Sequence, residues 1–246
     1  MTMKIARFTA ALALAASFAF PALAQQEERV KAELKKRLPE APVESVRKIN
    51  FGGLYEVVAG GEIYYTDENA TFLIIGNIVD LKTKQNVTEA RMRQVNAIKW
   101  SELPLDQAVK ITRGNGSRKI AIFEDPNCGY CKRFERDLLA VTDITVYVFL
   151  YPILAADSVE KSKAVWCAKD PGKMWLDHMT RDANITGDTK CATPIDKILA
   201  FGKEKRLGGT PTIIFENGDR IAGAMPLADF EKKLAEAAAA KTASAK

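Results

Sequence analysis

The 246-residue sequence predicts an α/β fold in two parts, a small α+β unit followed by a larger α/β domain. Three observations predict this arrangement. Glycine pairs at 52–53 and 60–61 separate short strand-like runs in the first third of the chain. A Cys128-x-x-Cys131 pair lies where an apolar strand gives way to a helical pattern. Two further strand-like runs, over 144–151 and 212–215, enclose a long stretch of helical pattern.

Composition excludes several classes of protein. A hydrophobic fraction of 47% is enough for packed cores and excludes a disordered chain. Four cysteines are too few for a small scaffold held by disulfides, and one histidine leaves little room for histidine-rich metal sites. The formal net charge of +5 is mild and gives no case for nucleic-acid binding. We therefore expect no nucleic-acid partner, no metal and no cofactor.

The N-terminus, residues 1–24, has the pattern of a secretory signal peptide. Two basic residues precede an uncharged apolar run, and Ala22-Leu23-Ala24 matches a small-x-small cleavage site. A membrane anchor is the alternative, but the uncharged run over 8–24 is at the lower limit for spanning a bilayer. We expect a cleaved, periplasmic chain of residues 25–246 without stable membrane insertion. All four cysteines then lie in an oxidising compartment.

The small N-terminal unit is expected over 25–84. A charged helix over 25–38 opens it, and strands follow from Val43, with turns at the glycine pairs and another apolar run over 70–75. The apolar stripe of the helix comprises Val30, Leu34 and Leu38. Residues 85–104 are predicted to be a linker helix, and its thin apolar stripe favours an exposed connection.

The second domain is expected over 105–246. Its first strand, over 119–123, leads into the CxxC pair, and helical patterns cover most of 158–202. Asn217-Gly218 predicts a hairpin turn, and the Ala-rich residues 235–246 are expected to fray. Two helices are expected to bury apolar residues, namely Phe134, Leu138 and Leu139 in the first and Leu227, Phe230 and Leu234 in the last. His178 is expected on a helical surface with no catalytic role.

The position of Cys128 at a helix N-terminus predicts redox chemistry. Unpaired backbone N–H groups and the helix dipole favour the thiolate, which is the species that attacks disulfides. Cys131, one turn later, can attack the resulting mixed disulfide and release it. A zinc site and an inert disulfide are the alternatives, but Cys167 and Cys191 lack the CxxC spacing of a second zinc half-site. Lys132 stands where haem attachment requires histidine.

Three stretches resemble one family. FEDPNCGYC, over 123–131, resembles the active-site run of thioredoxin-fold periplasmic disulfide proteins, and 208–212 resembles their cis-proline loop. Residues 166–170, WCAKD, resemble a stretch of the DsbC branch. The order of a small sheet, a connecting helix and a C-terminal domain also resembles that branch. The mature chain is therefore similar throughout to DsbC-type disulfide isomerases.

The resemblance implies a fold and a set of roles. It implies a cystatin-like N-terminal dimerisation domain and a thioredoxin-like catalytic domain with a helical insertion. Cys128 would be the exposed nucleophile and Cys131 the resolving cysteine. The other implied site residues are Gly129 and Tyr130, which would tune the redox potential, and Thr210 with cis Pro211, which would line the substrate surface.

Two further points concern the redox groups. Many thioredoxin-fold proteins bury an acid six positions before the first cysteine, but Ile122 stands there. Glu124 and Asp125 are nearer and are expected to be exposed, so the proton acceptor for Cys131 stays open. Cys167 and Cys191, in the insertion, are expected to form a structural disulfide, with a second redox pair as the alternative.

The expected function is that of a periplasmic disulfide isomerase. The resemblance implies a homodimer with chaperone-like binding of misfolded, disulfide-containing exported proteins, and a DsbD-like inner-membrane thiol reductase as partner. The alternatives are a DsbG-like reductase that protects single cysteines, a dithiol oxidase, and a non-enzymatic chaperone or binding module. Gly129-Tyr130 favours the DsbC pattern, whereas Asp125-Pro126 resembles the DsbG side.

Overall fold

The computed structural model describes residues 19–244, with side chains described for 23–240. Residues 1–18, which hold most of the expected signal peptide, lie outside this range. The chain divides into two compact units, the first ending at Val95 and the second beginning at Asn96. In the described part of the chain, no helix is both long enough and apolar enough to cross a membrane.

The first unit packs helices on both faces of a small antiparallel sheet. Helix α1 (Ala19–Arg37) precedes the strands, whose order in the sheet is β1-β2-β3. These strands are β1 (Val43–Lys48), β2 (Tyr55–Ala59) and β3 (Glu62–Thr66). Val57 packs with α1, and Val58 faces the opposite core, so the central strand is buried on both sides.

The segment predicted as a linker helix, residues 85–104, has a different structure from the one expected. A short hairpin of β4 (Val79–Asp80) and β5 (Gln85–Asn86) leads into α2 (Val87–Val95), which is shorter than the range 85–104. Met92 and Val95 pack on the core of β2 and β3, so α2 is half-buried within the first unit rather than exposed. Two single-turn 3-10 helices, Trp100–Glu102 and Leu105–Gln107, follow it.

The expectation for Leu38 is wrong. Leu38 lies beyond the end of α1 and is 41% exposed, so the buried stripe of the helix stops at Leu34. The apolar run over 70–75 makes only an isolated bridge between Tyr65 and Ile74, at the edge of β3. Ala70 is buried in the core with Val30 and Leu34, whereas the apolar side chains of residues 72–75 are exposed.

The second unit is built on a five-stranded sheet of order β10-β9-β7-β8-β6. Only β7 and β8 are parallel, with α3 connecting them. The strands are β6 (Val109–Arg113), β7 (Arg118–Glu124), β8 (Ile144–Leu150), β9 (Thr212–Phe215) and β10 (Arg220–Ala222). The helices are α3 (Gly129–Leu138), α4 (Ser158–Cys167), α5 (Pro171–Arg181), α6 (Ile195–Glu204) and α7 (Leu227–Ser244).

The central strand β7 positions the CxxC pair. Ile120 and Ile122 point into the core that holds Phe134 and Phe230, while Phe123 points into the opposite core. A strand buried on both faces reads as one apolar run, which is why it is readily predicted. Its carboxyl end leads directly into the turn before α3.

Three features of this unit were not predicted. Edge strand β6 has only two core residues, Val109 and Ile111, between polar ones, and is too short to stand out. Helix α3 ends at Leu138, so Leu139 is 53% exposed instead of buried. The Ala-rich tail, expected to fray, continues α7 to Ser244, because alanine favours the helix and Ala237 is buried.

Candidate functional site

Cys128 and Cys131 lie at the start of α3 and are joined by a disulfide, with their Cα atoms 5.2 Å apart. Cys128 is the N-cap of the helix, and its Sγ accepts the backbone N–H of Cys131 at 3.0 Å. A sulfur in this position is held among the unpaired N–H groups of the first turn. The reduced Cys128 sulfur is therefore favoured as a thiolate.

The exposure of Cys128 differs from the expectation. Cys128 was expected to be exposed, but in this disulfide form it is 2% exposed, and Cys131 is fully buried. The Cys128 side chain is turned toward Cys131 and is covered by the loop that contains Thr210. Gly129 and Tyr130 are the exposed residues of the motif, with Tyr130 71% exposed.

The loop before β9 brings Thr210 and Pro211 to the CxxC pair. The Thr210–Pro211 peptide is cis, and the Thr210 carbonyl oxygen lies 3.5 Å from Cys128 Sγ. Within the described residues, the buried Thr210 hydroxyl oxygen has no hydrogen-bond partner. Cys128 and Thr210, which are 82 positions apart in the sequence, are thus in contact at the Cys128 sulfur.

Tyr151 and Arg220 hold the start of that loop. The Tyr151 hydroxyl donates to the Leu207 carbonyl at 3.1 Å. The two terminal nitrogens of Arg220 donate to the carbonyls of Lys205 and Arg206 at 2.9 and 2.6 Å. These three bonds fix consecutive backbone carbonyls just before the cis-proline loop.

Asp125 holds the turn between β7 and Cys128, and the expectation that it is exposed is wrong. It is fully buried, and its Oδ2 accepts the backbone N–H groups of Ile153 and Leu154 at 2.7 and 2.9 Å. Its Oδ1 accepts from Asn127 N and from the Ser158 hydroxyl. A carboxylate with four donors is fixed as a structural anion, so it does not serve as a free base.

Glu124 was also expected to be exposed, but it is fully buried beneath the CxxC pair together with Glu135 of α3. Burial raises the pKa of Glu124 well above its usual range, and the negative charge of Glu135 raises it further. Burial also raises the pKa of Glu135, against the opposing effects of Glu124 and Arg113. Two carboxyl groups in one dry site favour sharing a proton over ionising together.

Several polar atoms in and around the Glu124–Glu135 pair lack hydrogen bonds of good geometry within the described residues. Within residues 23–240, both Glu124 oxygens, Glu135 Oε1 and Trp175 Nε1 form no hydrogen bond of good geometry. The three guanidinium nitrogens of Arg113 are likewise buried and unbonded in that range. Burial lowers the pKa of Arg113, and the charge of Glu135 opposes that shift. Three ionisable side chains, from β6, β7 and α3, and one tryptophan, from α5, thus form one buried polar cluster.

His178 is buried beside the active-site turn, so the prediction of a surface position is wrong. It is 7% exposed, and its Nε2 lies 2.7 Å from the carbonyl oxygen of Pro126, two residues before Cys128. Its Nδ1 lies 2.7 Å from the carbonyl oxygen of Ala183. Trp175, His178 and Met179 follow helical spacing on the buried side of α5, a pattern visible in the sequence.

Cys167 and Cys191 are joined by a disulfide within the helical insertion, with Cα atoms 5.8 Å apart. Cys167 ends α4, and Cys191 lies in the segment before α6. Nearby, Trp166 Nε1 donates to the Ala192 carbonyl at 3.2 Å across the same connection. In the part of the chain that the structure describes, no group of three His, Cys, Asp or Glu side chains is arranged to hold a metal ion.

Comparison with known proteins places these features in context. Residues 105–238 match the family model of a thioredoxin-like domain, and residues 21–89 match that of the disulfide bond isomerase protein N-terminal domain. The probable thiol:disulfide interchange protein DsbC of Bordetella pertussis is 43% identical over 209 residues, covering 85% of this chain and 74% of that protein. Thiol:disulfide interchange protein DsbC of Escherichia coli K12 is 24% identical over 227 residues, covering 89% and 92%. A crystal structure of a disulfide interchange protein from Neisseria gonorrhoeae matches with a TM-score of 0.53 at 36% identity, over 55% of this chain and 99% of that one.

Proposed function

The chain belongs to the DsbC family of thiol:disulfide interchange proteins, and we propose that within this family it is a periplasmic disulfide isomerase. The predicted family and the thioredoxin-like fold with its DsbC-type N-terminal domain are confirmed. The observation that carries the proposal is the placement of Cys128. It caps α3, and its sulfur lies against the carbonyl of Thr210.

The first chemical step follows from that placement. The Cys128 thiolate attacks one sulfur of a substrate disulfide, a new Cys128–substrate bond forms, and the other substrate sulfur leaves as a thiolate. The Cys131 N–H and the N-terminus of α3 stabilise the charge on Cys128 before attack. An isomerase must begin this step with its own pair reduced.

Substrate backbone would bind along the loop at Thr210–Pro211. The loop lies against Cys128, with the Thr210 carbonyl oxygen 3.5 Å from the Cys128 sulfur. An extended peptide paired with this backbone edge would place its cysteine at the nucleophile. The exposed ring of Tyr130 gives an apolar contact on the other side.

Release of the substrate requires Cys131 to lose its proton. The buried acid that the sequence lacks at Ile122 is supplied by Glu135, which follows Cys131 by one helical turn and faces the same core. Side chains four apart on a helix have Cβ atoms about 6 Å apart. The thiol proton passes to the shared carboxyl pair, the Cys131 sulfur attacks Cys128, and the substrate sulfur leaves as a thiolate.

The first unit would join two chains into a homodimer. Phe72–Ile75 lie along the outer edge of β3, to which Ile74 is bridged at Tyr65, and they are exposed, with Ile75 81% exposed. A contiguous apolar patch at a sheet edge is a surface that a partner covers. Light scattering of Ile75→Glu against the unchanged chain tests this, with exposed Leu139→Glu in the second unit as control. Loss of the dimer only in Ile75→Glu supports the proposal, and a monomeric unchanged chain at micromolar concentration refutes it.

Export and reduction complete the proposed role. Cleavage after Ala24 would deliver a chain of residues 25–246 to the periplasm, and intact mass of the periplasmic protein tests it. An inner-membrane thiol reductase would then keep the Cys128–Cys131 pair reduced. Thiol trapping in the periplasm separates the alternatives. A mainly oxidised pair would indicate a dithiol oxidase, and a mainly reduced one an isomerase or a DsbG-like reductase.

Refolding of a scrambled multi-disulfide protein tests isomerase activity directly. The mature chain in a mild redox buffer should raise the yield of correct pairs, and Cys128→Ala should abolish the gain. Cys131→Ala should retain part of it, because reshuffling can proceed within the mixed disulfide. An equal gain with Cys128→Ala would instead indicate a non-enzymatic chaperone.

A further inference from the structure

An exposed apolar segment follows β8 and has no part in the chemistry described above. It comprises Ile153, Leu154, Ala155 and Ala156, which carry no charge and are all exposed. Ile153 is 41% and Leu154 51% exposed, although the end of the strand before them is buried. Contiguous apolar side chains at the surface, unlike scattered ones, are typical of binding sites. We call these four residues the 153–156 segment.

The register of the sheet places this segment beside the turn that carries Cys128. Strand β7 lies between β9 and β8, with Phe123 opposite Thr212 and Glu124 opposite Leu150. Because β8 is parallel to β7 and β9 is antiparallel, the ends of β7 and β8 and the start of β9 share one edge of the sheet. Neighbouring strands are about 4.8 Å apart. The Cys128 turn is therefore flanked by the cis-proline loop on one side and by the chain leaving β8 on the other.

Asp125 binds both the beginning of the segment and the nucleophile. Its Oδ2 accepts the backbone N–H groups of Ile153 and Leu154 at 2.7 and 2.9 Å. Its carbonyl oxygen accepts the backbone N–H of Cys128 at 3.0 Å. One buried residue thus joins the segment to the active-site turn through three hydrogen bonds.

Asn127, the residue before Cys128, holds the other end of the segment. Its amide nitrogen donates to Asp157 Oδ1 and to Ser158 Oγ, each at 2.9 Å. Its amide oxygen accepts from Lys161 Nζ at 2.7 Å. Because both ends are bound to the Cys128 turn, the segment is held next to it before any substrate arrives. A surface that is already ordered loses less conformational entropy when it binds a partner.

The two sides of the Cys128 turn offer different groups to a peptide. On the cis-proline side, the peptide backbone can pair with the edge of the loop. On the other side, the N–H groups of Ile153 and Leu154 are bound to Asp125, and that of Ala155 is bound to Ser158 Oγ at 3.2 Å. The segment therefore presents apolar side chains in place of backbone donors. Such a surface gains free energy by covering another apolar side chain, whatever its exact shape.

We propose that the 153–156 segment is a substrate subsite that binds an apolar side chain next to the reacting cysteine of an unfolded polypeptide. Large apolar side chains are buried in folded proteins and become accessible in misfolded ones. The subsite thus makes Cys128 react faster with cysteines that lie in sequences meant for a core. This inference rests on the proposed role of Cys128 as nucleophile, but not on isomerase activity.

A pair of peptides tests the subsite. Each carries one cysteine as a mixed disulfide with a coloured aromatic thiol, flanked on both sides by leucine in one peptide and by serine in the other. The protein is the mature chain with Cys131→Ala and with Cys128 reduced. The Cys128 thiolate attacks the peptide sulfur, a Cys128–peptide disulfide forms, and the aromatic thiolate leaves. Stopped-flow absorbance gives the rate constant, and reaction with a small free thiol corrects for the intrinsic reactivity of each peptide.

The leucine peptide should react roughly tenfold faster than the serine peptide, because its side chains leave water in the encounter. The further double substitution Ile153→Ser, Leu154→Ser should lower this ratio to about one, since a serine surface gains little by covering leucine. Both side chains are exposed, so the substitutions are compatible with folding. Leu139→Ser is the matched control, with a side chain 53% exposed at the opposite end of α3, and it should keep the ratio.

Three results would overturn the proposal. The first is equal rates for the two peptides with Ile153 and Leu154 intact, a result that needs no surface variant. The second is a ratio that persists in the double variant, and its loss in Tyr130→Ser would then assign the preference to that exposed ring. The third is loss of the ratio in Leu139→Ser as well.

The same rates separate this inference from the proposed function. A chain that reacts with neither peptide would refute the role of Cys128 as nucleophile, and the subsite with it. A chain that fails to refold scrambled proteins but keeps the leucine preference would refute the isomerase activity alone.

Discussion

Glu124, at the end of β7, and Glu135, on α3, face each other as two fully buried carboxyl groups beneath the CxxC pair. Within the described residues, neither Glu124 oxygen forms a hydrogen bond of good geometry. Burial raises the pKa of both groups, so the folded chain holds on to protons at this site to higher pH than the unfolded chain does. The cluster therefore lowers the stability of the fold as the pH rises.

Glu124→Gln should stabilise the second unit at alkaline pH. A carboxyl pKa that is raised on folding makes stability fall as pH rises above the unfolded value of about 4.3. The amide does not titrate, so the free energy of unfolding of Glu124→Gln should exceed that of the unchanged chain by about 1 kcal/mol or more near pH 8, and the difference should vanish near pH 4.

Urea unfolding followed by tryptophan fluorescence measures this difference, because all three tryptophans lie after residue 96. Exposed Glu236→Gln on α7 is the control. An equal loss of stability at both pH values would contradict the prediction.

Glu135→Gln should slow release of substrate without slowing its capture. Without the carboxylate as acceptor, the Cys131 thiol loses its proton to water, and resolution should fall about tenfold to a hundredfold near pH 7. A preformed mixed disulfide between Cys128 and a chromophoric small thiol reports resolution, and alkylation of Cys128 reports capture. Unchanged resolution, or an equal loss in both rates, would show that Glu135 is not the acceptor.

Removing the Cys167–Cys191 disulfide should destabilise the second unit and leave the CxxC chemistry intact. Its cysteines are 24 positions apart, and closing a loop of that length contributes about 3.5 kcal/mol in the chain-entropy model. The double variant Cys167→Ala, Cys191→Ala should lose that amount in urea unfolding, with Cys128 alkylation unchanged. A changed redox potential of the CxxC pair would favour the alternative of a second redox pair.

Arg220→Gln should weaken substrate binding. Arg220 holds the carbonyls of Lys205 and Arg206 with a planar fork, and an amide reaches at most one of them. We expect the KM for a disulfide peptide to rise about tenfold, since a charge-assisted hydrogen bond is lost ahead of the Thr210 loop. Arg220→Lys, with one point charge, should recover part of the loss. Equal KM values in all three proteins would exclude a role for this bond in binding.

Several missed features left a pattern in the sequence. On α3 the core positions Cys131, Phe134 and Leu138 follow helical spacing, and Glu135 falls on the same stripe. An acidic residue on the apolar stripe of a helix is expected to be buried when that stripe packs on the core. No comparable pattern in the sequence indicates that Glu124 is buried. Strand β7 is buried on both faces, so its apolar residues do not alternate with polar ones, and the pattern does not show whether the strand's last residue is buried.

The sequence by itself determined the family, the strand-to-helix position of Cys128 and Cys131, and the two-part order of the chain. These features depend on the periodicity of apolar residues and on short contiguous motifs. Both can be recognised from residue spacing within a single helix or strand. The tertiary structure alone decided which groups surround the CxxC pair. Arg113, Glu124 and Glu135 come from three separate elements, and His178 reaches Pro126 across 52 positions. Such contacts form only when helices dock on the sheet, so their protonation and their effect on the cysteines are properties of the packed domain.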